Sequence, residues 1–233
     1  MKPEPPLAIV VHPGTPAGRC AARAARARGY GLLLVGERNF DTANPARVET
    51  YARRIERSGR RVELLITCPA VPAAKLAAGV LTEEDPARWQ ALFRRIVLPP
   101  LGFARSFGRR MRLAGRGRIV HLVSNSAFEP RRTPGGKAAG STAFAAAMAA
   151  VAAMTRHLAT EFDDSGVLVN SLVYGALEGS EPRSALAGYA LRSPLGRPLG
   201  RTELVRALDL LLDPDCRYLT GQNVTVDGGA SIW

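Results

Sequence analysis

Short apolar runs alternate with amphipathic or alanine-rich segments along nearly the whole chain, and this alternation restricts the possible folds more than any single motif. The runs at 7–11 (LAIVV), 31–36 (GLLLVG), 62–67 (VELLIT), 118–124 (RIVHLVS), 167–173 (VLVNSLV) and 223–226 (NVTV) read as strands, most of them buried on both faces. Between them, residues 18–28, 45–58, 84–113, 142–162 and 202–212 read as helices, the third interrupted at Pro99 and Pro100. Strands that alternate with helices pair in parallel through crossover connections, which are right-handed almost without exception. The expected fold is α/β: a Rossmann-like, doubly wound parallel sheet with helices on both faces. Residues 125–141, rich in proline, glycine and arginine, read as a loop beside the crevice that such a sheet opens at the carboxyl ends of its strands. Neither repeat nor linker divides the chain, so a single domain over 1–233 is expected.

The net charge of +12 would suit nucleic acid, an anionic membrane surface or an acidic carrier protein. Its basic residues are spread along the chain, however, and all but Lys2, Lys75 and Lys137 are arginine. The densest cluster, Arg105, Arg109, Arg110, Arg112, Arg116 and Arg118, reads as a solvated face, and no nucleic-acid partner is expected. Cys20, Cys68 and Cys216 are too scattered for a disulfide framework or a metal site. No stretch approaches the roughly 20 apolar residues needed to cross a bilayer, and the first apolar run is too short for a signal peptide. A cytoplasmic protein with no membrane partner is expected.

Four segments, GRIVHLVS (117–124), AAVAAMTRHLATEF (149–162), VLVNSLVYG (167–175) and YLTGQNVTVDGG (218–229), carry a more specific signal. In order and spacing they resemble the short-chain dehydrogenases/reductases, particularly the β-ketoacyl-acyl carrier protein reductases and acetoacetyl-CoA reductases. The resemblance spans nearly the whole chain and is weakest before residue 80. It implies a nicotinamide dinucleotide held on a glycine-rich turn, with its pyrophosphate at a helix N-terminus. It also implies a tyrosine that moves the proton, a lysine four residues later that lowers the phenol's pKa and holds the nicotinamide ribose, a serine on the substrate carbonyl, and an asparagine that positions a water relay.

Laid along this chain, the family pattern meets different chemistry. The three glycines fall on His12, Pro16 and Gly18, with Gly14 available for an alternative turn. Cofactor-binding candidates are therefore Gly14 and Gly18. The tyrosine and lysine fall on Phe144 and Met148, the asparagine on Ile96, and the serine on Ser124. Phenylalanine and methionine keep shape and volume while removing the exchangeable proton and the cation. A general acid contributes about 10²- to 10⁴-fold in rate, so hydride transfer by the family's mechanism is expected to be very slow. Only about two dozen residues separate the second strand from the third, so one strand and one helix are read as deleted there. The supporting turn after the third strand reads Thr67-Cys68-Pro69-Ala70.

Ser126, Lys137, Ser141, Tyr174 and Tyr189 are the candidate replacement donors, and Tyr174, Arg131 and Arg132 the candidate substrate contacts. His12, His121 and His157 read as structural. Better kept are the segments that the family uses between subunits: the helix 142–162, the helix before the serine strand, and the C-terminal strand and helix. The leading expectation is a catalytically impaired accessory subunit, homo- or hetero-oligomeric with an active short-chain reductase of acyl or polyketide metabolism, with acyl carrier protein as a further partner. No resident cofactor is expected, NADP(H) being the alternative, and no metal. Two other readings stay open: a nicotinamide-independent cyclase, lyase or isomerase in the same crevice, and a divergent NADP(H)-dependent ketoreductase.

Overall fold

The computed structural model describes residues 4–38, 40–69, 71, 85–129, 131–132, 138–139 and 141–232. Strands β1 (Leu7–Val11), β2 (Gly31–Val35), β3 (Val62–Thr67), β4 (Gly117–Ser124), β7 (Val167–Tyr174) and β8 (Asn223–Val226) form one sheet in the order β2-β1-β3-β4-β7-β8. Every neighbouring pair is parallel. The doubly wound order would place a further strand outside β2. Here the chain passes from β2 through one helix directly to β3 on the other side of β1, as the missing length between residues 36 and 62 requires.

Helices begin where the sequence supplies caps. Thr15 caps α1 (Pro16–Ala27), Asn44 caps α2 (Pro45–Arg57) and Asp85 caps α3 (Pro86–Ile96), each followed by a proline whose missing N–H costs nothing in the first turn. The long helix expected over 84–113 is instead four pieces: α3, α4 (Leu98–Phe103), a π-helical turn (Ala104–Gly108) and α5 (Arg109–Leu113). Pro99 and Pro100 are the physical cause of the first break, since they fit only the opening turn of a new helix. The region read as a loop over 125–141 contains a short 3₁₀ turn and two paired two-residue strands, β5 (Arg131–Arg132) and β6 (Ala138–Ala139).

Strand alternation sorts the core into two layers. Ala8, Val10, Leu64, Ile66, Val120, Leu122 and Leu172 face α1 and α8 (Arg201–Leu212). Ile9, Val11, Leu65, Ile119 and Val169 face the other side, where Val48 of α2, Phe103 and Phe107 cover them. On that side α6 (Thr142–Glu161), capped by Ser141, packs on α3, β4 and β7. Contrary to the sequence expectation, α6 is long and apolar enough by length and composition to cross a bilayer. Its buried face, including Ala143, Ala147, Met148, Val151 and Leu158, makes it a core helix of this fold.

Candidate functional site

The crevice lies over the carboxyl ends of β1, β3, β4 and β7. At the first turn, His12 adopts φ 59°, the left-handed conformation for which glycine is the usual residue. Its buried ring lies between the end of β3 and the loop after β2. Nδ1 donates to the Cys68 carbonyl at 2.8 Å, which leaves Nε2 to accept from the Thr42 hydroxyl at 3.0 Å. Burial lowers the pKa of His12, outweighing the opposing pull of the Cys68 carbonyl and of Glu37, whose carboxylate lies 3.8 Å from Nε2. Glu37 is itself held by Arg95 of α3 at 2.6 Å, and Asp41 by Arg94 at 3.0 Å. Two ion pairs thus tie α3 to the loop after β2.

Several backbone groups of the turn are engaged locally. Gly18 N–H donates to Thr15 Oγ1 at 2.9 Å, Pro16 has no N–H, and Arg19 reaches back to the Gly14 carbonyl at 2.6 Å. A side chain on Gly18 would sit 2.3 Å from the His12 carbonyl oxygen, so this glycine serves close packing of α1 on the turn. Gly14 has open space around it.

The structure gathers the positions read as serine, asparagine, tyrosine and lysine. Ser124 ends β4, and its backbone N–H points to the Met148 sulfur at 3.5 Å. Ile96 and Met148 are both buried and line a gap of about 10 Å³ with Thr67, Cys68, Pro69 and Val151, room for no more than about one water. Phe144, one turn before Met148 on α6, is half-buried against the same cluster. The Ser124 hydroxyl accepts from Ser126 N–H at 3.3 Å and from the Ser126 hydroxyl at 3.0 Å. Among the described residues lining this gap, the one ionisable group is the Cys68 thiol.

Tyr174 does not join this set. It packs with Leu172 and Val226 on the α1/α8 side of the sheet, opposite Phe144 and Met148. Tyr189 is buried with its hydroxyl donating to the Asp227 carbonyl at 2.5 Å, and Ser141 accepts from Phe144 N–H as the α6 cap. The Tyr189 hydroxyl proton is thereby engaged, and Ser141 serves as the helix cap. Arg131 and Arg132 lie in β5 by their backbone alone, and Lys137 falls outside the described residues. His121 is fully buried on β4 with Nδ1 2.7 Å from Thr67 Oγ1, and burial lowers its pKa to about 4. Cys68 is buried, its thiol pushed up by desolvation, and no metal-binding cluster is present among the described residues.

Two features escaped the sequence reading. Glu129 links Asn125 at 2.9 Å to Arg192 at 2.7 Å, joining the loop after β4 to the region following α7 (Arg183–Ala190). The Arg94 and Arg95 ion pairs were equally hidden, because their partners lie more than 50 residues away. The arginines at 105–118, read as a solvated face, also divide: Arg110 pairs with Glu49 and Glu56, and Arg118 turns inward to the Leu211 and Cys216 carbonyls.

A family model described as enoyl-(acyl carrier protein) reductase matches residues 13–231. The chain belongs to the short-chain dehydrogenases/reductases. It is 28% identical to the short-chain reductase protein NovJ of Streptomyces niveus over 88% of this chain and 74% of that one. Against 3-oxoacyl-[acyl-carrier-protein] reductase FabG of Escherichia coli it is 25% identical over 87% and 78%. A crystal structure described as an NAD(P)-dependent gluconate 5-dehydrogenase from Beutenbergia cavernae, with NADP at low occupancy, superposes with a TM-score of 0.82 at 25% identity, covering 98% of this chain and 97% of that one.

The relatives make a nicotinamide dinucleotide the group to test against this short-chain dehydrogenase/reductase crevice. Among the described residues, four features differ from the pattern the resemblance implies. His12 stands where the first glycine of the turn is read, the Gly18 N–H donates to Thr15, the Arg94 and Arg95 pairs bridge from α3 to the β2 loop, and Met148 stands uncharged where the lysine is read.

Proposed function

We propose that this chain is a catalytically impaired member of the short-chain dehydrogenases/reductases that acts as an accessory subunit to an active reductase. The observation that carries the reading is the pairing of Phe144 with Met148 on one face of α6, beside Ser124 and Ile96, where the family's proton transfer would need a phenol and an ammonium. Fold-forming residues persist around it, including the α6 core face and the β7–β8 pairing. The names of FabG and the family model support an active partner that works on carbonyl or enoyl groups of carrier-bound acyl chains. The net charge of +12 suits an acidic carrier protein in the same assembly.

Co-expression with a 3-oxoacyl-carrier-protein reductase of the same cell, followed by size-exclusion chromatography and NADPH turnover, tests this. Co-elution as a defined hetero-oligomer, with turnover lost only when the partner's own tyrosine is changed, is expected. A chain that never associates and reduces acyl thioesters alone would overturn it. The NADP held by the gluconate 5-dehydrogenase relative favours a second reading, a divergent NADP(H)-dependent ketoreductase. Saturable NADPH binding to the isolated chain separates the two. The gap of about 10 Å³ at Met148 counts against a lyase or isomerase pocket in the same place.

A further inference from the structure

The sheet edge at β2 is the place where this chain departs most from the doubly wound order, and among the described residues no strand pairs with its outer side. Its five residues, Gly-Leu-Leu-Leu-Val, carry no charge, proline or bulge of the kind that ordinarily blunts an edge. Gly31 N–H donates to Pro6 at 3.0 Å and the Val35 carbonyl accepts from His12 at 2.7 Å, so residues 31, 33 and 35 turn their backbone groups toward β1. Alternation therefore points the N–H and C=O groups of Leu32 and Leu34 outward. The Leu34 side chain is 54% exposed.

The helices on either side of this edge supply charge. α1 exposes Arg19, Arg23 and Arg26 and contains no acidic residue. α2 exposes Arg47, Arg53, Arg54 and Arg57, while its Glu49 and Glu56 are engaged by Arg110. Among the described residues, no carboxylate lies within ion-pair distance of Arg23, Arg26, Arg47, Arg54 or Arg57. A second copy of this chain pairing edge to edge would bring two such arginine sets together, whereas an acidic strand would neutralise them.

We propose that β2 is a docking edge for an extended, acidic segment of a partner protein, which adds to the sheet with alternate apolar residues over Leu34 on the α1 face and carboxylates on the α2 face. This stands independently of the accessory-subunit reading. The probe is a blocked peptide of alternating glutamate and valine, with a lysine–valine peptide as control, followed by fluorescence anisotropy and amide hydrogen exchange. The acidic peptide is expected to bind, to slow exchange at Leu32 and Leu34, and to weaken about tenfold between low and physiological salt. Leu34→Pro, which removes an outward donor without touching the β1 ladder, is expected to weaken binding about tenfold. Leu34→Asp, which keeps the backbone donor, does the same by repulsion and serves should the proline variant not fold. Equal binding of the lysine peptide, no change at Leu32 and Leu34, or a concentration-dependent homodimer that protects those amides would overturn the proposal.

Discussion

His12 holds φ 59°, a conformation that costs a non-glycine residue on the order of 1–2 kcal/mol, and its two ring hydrogen bonds return about 1 kcal/mol each. These nearly cancel, so His12→Gly is expected to shift unfolding free energy in urea by less than about 2 kcal/mol while opening the turn. His121 sets a larger effect. Its folded pKa of about 4 lies below the ordinary value of 6.5, so the unfolded chain binds the extra proton first. Stability is full above pH 6.5 and falls as pH drops toward 4, by on the order of 3 kcal/mol from this group, with His12 adding to the loss in the same direction. Urea midpoints across that range should show the slope, and His121→Leu should flatten it; an unchanged slope would rule out His121 as its source. Met148→Lys restores the family's residue into a buried apolar cluster and is expected to cost several kcal/mol, with no gain in NADPH oxidation. The substitutions at 144 and 148 were legible because the flanking AAVAAMTRHLA fixes the register. The ring of His12 was not, since nothing adjacent in sequence announces Thr42 or the Cys68 carbonyl as its partners.

At the scale of elements, strand positions followed directly from apolar runs, because a strand buried on both faces has no other composition available to it. The missing strand was legible from length alone. The break-up of 84–113 was only half legible: the prolines announced a break, but the π-helical turn at Ala104–Gly108 depends on tertiary packing. Gly108 shows this. A Cβ there would lie 2.4 Å from the Phe162 ring and 3.2 Å from Ile119. Glycine to alanine inside a helix ordinarily stabilises by about 1 kcal/mol, yet Gly108→Ala is expected to destabilise by about 1–3 kcal/mol through overpacking. Thermal unfolding decides the sign, and a raised midpoint would mean that α5 and α6 are less tightly packed than described.

Across the whole molecule, one framework of the short-chain dehydrogenases/reductases carries a crevice in which we propose that the family's chemistry has been exchanged for packing. Around the positions read as the family's turn and lysine stand a histidine, two arginine–carboxylate pairs and a thioether. The family and its sheet could be read from sequence, because strand order and spacing are encoded locally. The contacts beside the crevice could not, because they arise where residues 12, 37, 42, 68 and 95 meet in space. Calorimetric titration of NADPH into the purified chain, alongside the His12→Gly variant, tests the account most directly. No heat of binding at millimolar NADPH for the natural chain, with weak saturable binding regained in the variant, is the predicted result. Micromolar binding to the natural chain, quenched by neither substitution at the turn nor salt, would contradict it.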